Sequence, residues 1–205
     1  AGEAFFLENP SLLPEILYGA PVPKAFQHRI FHAEASRAKP FRPGEGFPCL
    51  STYPLPGHSM DMCGFMTEDS VFFLADALIS ERILKKQGIS YVWDLDRYVE
   101  SLHRLKTIRA AVYVPSHAPV QEDIRQLIDL NLQHINDTVE RILTILKTQR
   151  THEELVEELF VQLDVQLSDP LFLLLGASVR GYLTSLEKRG KVSHRMVHNR
   201  LVWWT

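Results

Sequence analysis

The stretch PLPGHSMDMCGFMTEDSVFFLADALIS, residues 54 to 80, decides how this chain is read. Met62 to Met66 and Val71 to Leu74 are short apolar runs of the kind that form buried strands, with Thr67-Glu68-Asp69-Ser70 as the turn between them. The run from Cys49 to Leu55 is also strand-like and stops at Pro56-Gly57-His58. Val71 to Leu74 is expected to stop at Asp76, and a further run, Ala110 to Val114, ends in Pro115-Ser116-His117. Three strand ends thus carry His58, Asp76 and His117. A sheet aligns the ends of its strands, so residues distant in sequence meet at one rim. Neutral imidazole and carboxylate are the ligands a borderline divalent metal takes.

Downstream, Leu95, Tyr98, Val99 and Leu102 hold helical spacing and predict a helix over 94–105. Strand pair, helix and strand make an α/β layered unit. A long helix is expected over 120–149, where Ile124 through Leu146 keep the three-four period. Thr151-His152-Glu153-Glu154 is a capping box opening a helix that runs to about Leu163. A short helix near Pro170 and another from Ser178 to Arg189, stopped by Gly190, follow. Two β runs, Lys191 to His194 and Arg200 to Trp203, close the chain. Three helices and a hairpin in residues 150–205 suggest a separate winged-helix subdomain. Its own small core would be Leu155, Leu159, Leu173, Val179, Leu183, Leu186 and Trp203.

Upstream, residues 1–48 carry seven of the 12 prolines, so long regular elements are not expected there. A short helix is read over 23–35, and the aromatic residues of the segment predict packing rather than a free linker. Hydrophobic residues at 45% exclude a mainly disordered chain. A net charge of -3 argues against a basic nucleic-acid protein. No apolar run spans a bilayer, and a signal-peptide pattern is missing from the N-terminus. Two cysteines, Cys49 and Cys63, give no disulfide framework, and cytoplasmic residence is the expectation. Both thiols are read as buried, while His103 and His134 are assigned to solvated helix faces.

With these residues in view, the chain resembles the C-terminal portion of a metallo-β-lactamase-fold hydrolase. The Pro-Gly-His, the strand pair, the Asp in a Gly-Asp-Ala-Leu-like turn and the later strand-end His carry the resemblance, which covers about residues 49 to 205. It implies half of an αββα sandwich over 49–149, a winged-helix subdomain over 150–205, and a Pro-rich insert over 1–48 packing near the site. It also implies two zinc ions in the complete protein, with iron or manganese as alternatives. His58 would serve one ion, His117 the other, and Asp76 would bridge them. Metal-bound hydroxide would then attack an ester, thioester, lactone or phosphodiester.

The pattern departs from the family's at two places. The His-x-His-x-Asp-His motif is absent, since His28 and His32 have the wrong spacing, and Ala75 stands where Gly usually precedes the bridging Asp. This chain is therefore expected to supply part of a site and to be inactive alone. Its expected partners are a small-molecule substrate and the missing half of the fold, or a self-associated copy in its place. No membrane is expected among them. The other reading is a non-catalytic binding module, a degenerate half-site joined to a winged helix. The basic residues Arg180, Lys188, Arg189, Lys191, Arg195 and Arg200 invite a nucleic-acid role for that module. The apolar residues among them and the acidic preceding helix disfavour it.

Overall fold

The computed structural model describes residues 2–27, 31, 34–39, 41 and 47–205. Two short helices, α1 (Gly2–Glu8) and α2 (Leu12–Tyr18), come first. Only a single 3-10 turn, Lys24–Phe26, lies in the expected helix over 23–35, and 28–30 and 32–33 of that range lie outside the described residues. The same is true of His28 and His32.

The first sheet contains β1 (Leu50–Pro54), β2 (Cys63–Thr67), β3 (Val71–Ile79) and β4 (Val112–His117), in that spatial order. β1–β2 and β2–β3 are antiparallel, and β3–β4 is parallel. A parallel pair needs a long crossover. Here it contains α3 (Glu81–Gln87) and α4 (Leu95–Leu105). Period-two alternation sends Phe72 and Leu74 into the core and leaves Phe73 44% exposed on the other face. β3 does not stop at Asp76. Pairing of Ala75 with Pro115 and Ile79 with His117, across register shifts, carries the strand past the carboxylate. The sequence pattern missed α3, which is only seven residues long and ends at Gly88 with φ 80°.

The second layer is helical. α5 (Arg125–Ile145) leads through β5 (Arg150–Thr151) into α6 (His152–Gln162). The capping box is present: Thr151 Oγ1 accepts from the Glu154 N–H, and the Glu154 carboxylate accepts from the Thr151 N–H at 2.7 Å. α7 (Asp169–Lys188) replaces the two helices expected near Pro170 and over 178–189. Pro170 lies in the first turn, where a proline is tolerated, and Gly176 does not break the helix. A mid-helix glycine costs about 1 kcal/mol, which the burial of Leu175, Val179, Tyr182, Leu183 and Leu186 outweighs. The hairpin β6 (Ser193–Val197) and β7 (Arg200–Trp204) completes a three-stranded sheet of order β5-β7-β6.

Residues 150–205 do not form the separate core expected of them. Leu155, Leu159, Val179, Leu183 and Leu186 join Phe72, Tyr98, Leu102 and Ile128 in one continuous buried cluster, with Trp203 packed at its edge. The reason is that α7 lies against α4 and α2 as well as α6. Polar links cross the same junction. The Val92 N–H donates to Ser178 Oγ at 3.0 Å, and the Ser185 hydroxyl donates to Asp96 at 2.7 Å. His152, buried between α6 and α7, holds the Gly176 carbonyl at 2.8 Å.

Three of the expected side-chain environments need correction. Cys49 is exposed, and Cys63 is half-buried with its thiol directed at the Asp61 carbonyl; both thiols are free. Cys49 sits at a turn before β1, with φ 68°. His134 is not solvated. Its ring is half-buried with Nε2 shut away from water, and burial lowers its pKa.

Candidate metal centre at the sheet rim

His58 follows β1 in a loop held from several sides. The Leu55 N–H donates to the Met62 carbonyl, closing the loop at its base. From α4, Ser101 donates to the Pro56 carbonyl at 2.7 Å, Arg104 to that of Pro54 at 2.9 Å, and Arg97 to that of Met60 at 3.1 Å. Gly57 has φ 125°, and a Cβ there would come 2.2 Å from the Tyr98 backbone nitrogen. Only glycine allows this approach, so the Pro-Gly-His triplet has a packing reason as well as a chemical one.

Asp76 is positioned by a distortion of β3. Ala75 before it has φ 49°, in the left-handed region that residues with a Cβ enter at a cost. After it, the Ala77 carbonyl accepts the Tyr98 hydroxyl at 3.0 Å. His117 ends β4, and its carbonyl accepts the Ser80 N–H. Asn131 of α5 ties the end of β3 by bonding both backbone groups of Ile79.

The rim brings the three side chains together. His58 Nε2 lies 3.3 Å from Asp76 Oδ2, and His117 Nε2 lies 3.4 Å from Asp76 Oδ1. The carboxylate separates the two imidazoles. Among the described residues no group of three or more His, Cys, Asp or Glu is gathered closely enough to hold an ion unaided. The hydrogen bond from His58 holds the Asp76 carboxyl below its ordinary pKa. Burial opposes that effect, while both imidazoles and a hydrogen bond from Ser116 add to it. His58 Nδ1 is buried with no partner among the described residues.

Sequence reasoning missed Tyr91 and the part Ser116 plays in lowering the Asp76 pKa. The Tyr91 ring meets His58 edge-on at 5.2 Å, and burial pushes its pKa up to about 12. Ser116 adjoins His117, the one signal that could have marked it. Tyr91 sits in the loop before α4, with no pattern to distinguish it.

No protein-family model matches this chain. Two solved structures share its architecture. A metallo-β-lactamase family protein from Thermus thermophilus superposes with a TM-score of 0.69, covering 97% of this chain and 67% of its own at 22% identity. A β-lactamase domain protein from Burkholderia ambifaria gives 0.64, covering 82% and 52% at 18% identity. The chain has the metallo-β-lactamase fold. Among curated proteins it is similar to the lactamase-like protein nscB of Trichophyton equinum, 28% identical over 122 residues, or 59% of this chain and 35% of the relative. It is also similar to an atrochrysone carboxyl ACP thioesterase of Aspergillus fumigatus, 27% identical over 128 residues, 60% of this chain and 29% of that protein. This chain thus spans about a third of the length of the curated relatives it matches. No helix among the described residues of this metallo-β-lactamase-fold chain is long and apolar enough to cross a membrane.

Proposed function

We propose that this chain is part of a metal-dependent hydrolase whose substrate is a thioester. One observation carries the metal: two imidazole nitrogens face the two oxygens of one carboxylate at 3.3 and 3.4 Å. This donor set suits zinc, with iron or manganese as alternatives. His58 and His117 would each serve one ion, and Asp76 would bridge them. A bound divalent ion supplies a hydroxide near neutral pH and polarises the scissile carbonyl. Asp76 is an anion near neutral pH, as a bridging ligand must be, and its neighbours favour that charge further. A hydrogen bond from Ser116 favours that charge, and the Tyr91 ring packs edge-on against His58. Hydrolysis of a thioester places the water oxygen on the acyl carbon, breaks the C–S bond and returns the proton to the departing thiolate. The relative named as an ACP thioesterase supports the choice of thioester over lactone or phosphodiester.

Three donors are fewer than two ions need. The relatives are longer than this chain, and the outer sheet face presents Phe65 and the exposed Phe73 in register. We take this face as the seat of the rest of the sandwich, which would bring the missing ligands. We also take the unit α5–β5–α6–α7–β6–β7 as a winged-helix arrangement, with α5 as its first helix rather than as part of the preceding unit. Two free thiols are consistent with the cytoplasm as its compartment.

The test is metal analysis of the full-length protein together with hydrolysis of a panel of thioester, lactone and phosphodiester substrates. Chelator-sensitive thioester hydrolysis, lost in His58→Ala and Asp76→Ala, is expected. Turnover untouched by chelator and by Asp76→Ala would overturn the reading.

A further inference from the structure

α7 and the loop before α4 enclose a cleft of about 300 Å3 that the metal centre does not use. Ala177, Gly181, Thr184 and Lys188 line it at helical spacing, so it follows α7 for about 16 Å. Tyr91, Trp93 and Asp96 form the facing wall, and Leu17 of α2 lies over it. The wall is fixed in place. Val92 is bonded to Ser178 of α7, while the N–H groups of Trp93 and Asp94 both donate to the Gly57 carbonyl. Gly181 permits the approach: a Cβ there would lie 3.2 Å from the Val92 carbonyl oxygen.

The two ends of the cleft differ. Tyr91 lines one end and touches His58, so a single side chain separates the cleft from the metal centre. Lys188 marks the other end, with Arg189 and Lys191 just beyond it. From Lys188 to Thr205 the chain carries five Lys or Arg and no Asp or Glu. Three acids near the cleft are already engaged. Asp96 accepts from Ser185 and Arg189, Asp94 accepts the Arg97 N–H, and Glu153 faces Arg180 at 3.7 Å. At the mouth Arg189 is paired with Asp96, which leaves Lys188 and Lys191 against Glu187.

We infer that this cleft takes the phosphorylated thiol arm of the substrate, with the thioester toward His58 and the phosphate at Lys188. The inference rests on the thioesterase reading above and adds where the leaving group lies. A long cleft with both apolar and hydroxyl-bearing walls suits a chain alternating methylene and amide groups. Lysine binds phosphate as a point charge at its end. The arm comes either free or attached to a carrier protein, and both present the same chemistry to the cleft.

Calorimetric titration of the 205-residue chain tests this without needing turnover. Pantetheine 4′-phosphate is expected to bind at least tenfold tighter than pantetheine. Lys188→Glu should abolish that advantage, and Asp76→Ala should leave it intact. Thr184→Trp, which fills the cleft from an exposed position, should abolish binding of both probes. Equal affinity for the two probes, or an advantage that survives Lys188→Glu, would overturn the inference. A phosphopantetheinylated carrier protein binding more tightly than the free probe would identify the carrier as the source of the arm; equal binding would identify the free thiol. Phosphate-dependent binding in a full-length protein that hydrolyses no thioester would overturn the thioesterase reading and leave the cleft assigned. Thioester hydrolysis indifferent to the arm and to Lys188→Glu would do the reverse.

Discussion

Asn131 grips Ile79 by both of its backbone groups. Its Oδ1 accepts the Ile79 N–H at 3.2 Å, and its Nδ2 donates to the Ile79 carbonyl at 2.9 Å and to that of Leu127 at 2.8 Å. Asn131 is 1% exposed, so water cannot replace it. Asn131→Ala leaves the end of β3 unsatisfied and should cost about 2–3 kcal/mol. Asp76 is three residues away on the same strand, so metal affinity should fall as well. Denaturant unfolding checks the first effect, and competitive zinc titration of the variant at temperatures where it remains folded checks the second.

Ala75 occupies left-handed backbone at φ 49° immediately before Asp76. That conformation costs a residue bearing a Cβ about 1 kcal/mol relative to glycine. Ala75→Gly should relieve the strain, less what glycine loses in the unfolded chain, for a net gain of up to about 1 kcal/mol. Asp76 should keep its position. A thermal midpoint below that of the wild-type chain would show that the side chain of Ala75 packs more favourably than its backbone is strained.

The candidate positions His58 and His117 were legible because one follows a strand and the other ends one. Pro56-Gly57-His58 and Pro115-Ser116-His117 stop an apolar run by their composition, and the rim then brings them together. Asp76 was legible as a residue but not as a conformation. The sequence suggests a strand stopping there, whereas pairing with β4 carries it three residues further through a distortion. The division of residues 169–188 into two helices failed for a related reason. Tertiary burial of both halves keeps the helix continuous through Gly176, which local pattern does not report. Tyr91 and Asn131 were invisible because their roles depend on which loop or strand end lies opposite.

Asp96 links α4 to α7 by accepting from Ser185 and Arg189. Burial acts to raise its pKa, but the hydrogen bonds from Ser185 and Arg189 outweigh it, and the result lies below the ordinary 3.8. The link therefore stabilises the fold fully above that value and is lost as the pH falls through the lower, folded-state pKa. Asp96→Asn should be less stable than the wild-type chain at pH 7. The difference should shrink in the acid range below about pH 4. Parallel denaturant titrations at about pH 7 and about pH 3 check this; a gap of the same size at both would place the stabilisation elsewhere.

The rim offers three donors, one carboxylate and two imidazoles. A catalytic zinc ion takes three protein ligands and keeps a fourth position open. With Asp76 shared, each ion would have one imidazole and one carboxylate oxygen from this chain. Two ligands hold a divalent ion weakly. The Nδ1 of His58 also lacks a partner among the described residues, so that imidazole has no hydrogen-bonding group to fix its metal-binding tautomer. The 205-residue chain should therefore retain less than one zinc per chain after dialysis, and Asp76→Ala should remove even that. It should hydrolyse none of the panel efficiently. The exposed Phe73, beside Phe65 on which Phe41 packs, should drive concentration-dependent association, since exposed apolar surface seeks cover. Adding a segment that bears the His-x-His-x-Asp-His ligands should raise the zinc content to two per complex and abolish the association. Metal analysis with sedimentation velocity reads both effects on one sample. A stoichiometric, tightly held ion in the chain alone would mean that residues other than His58, Asp76 and His117 complete the shell.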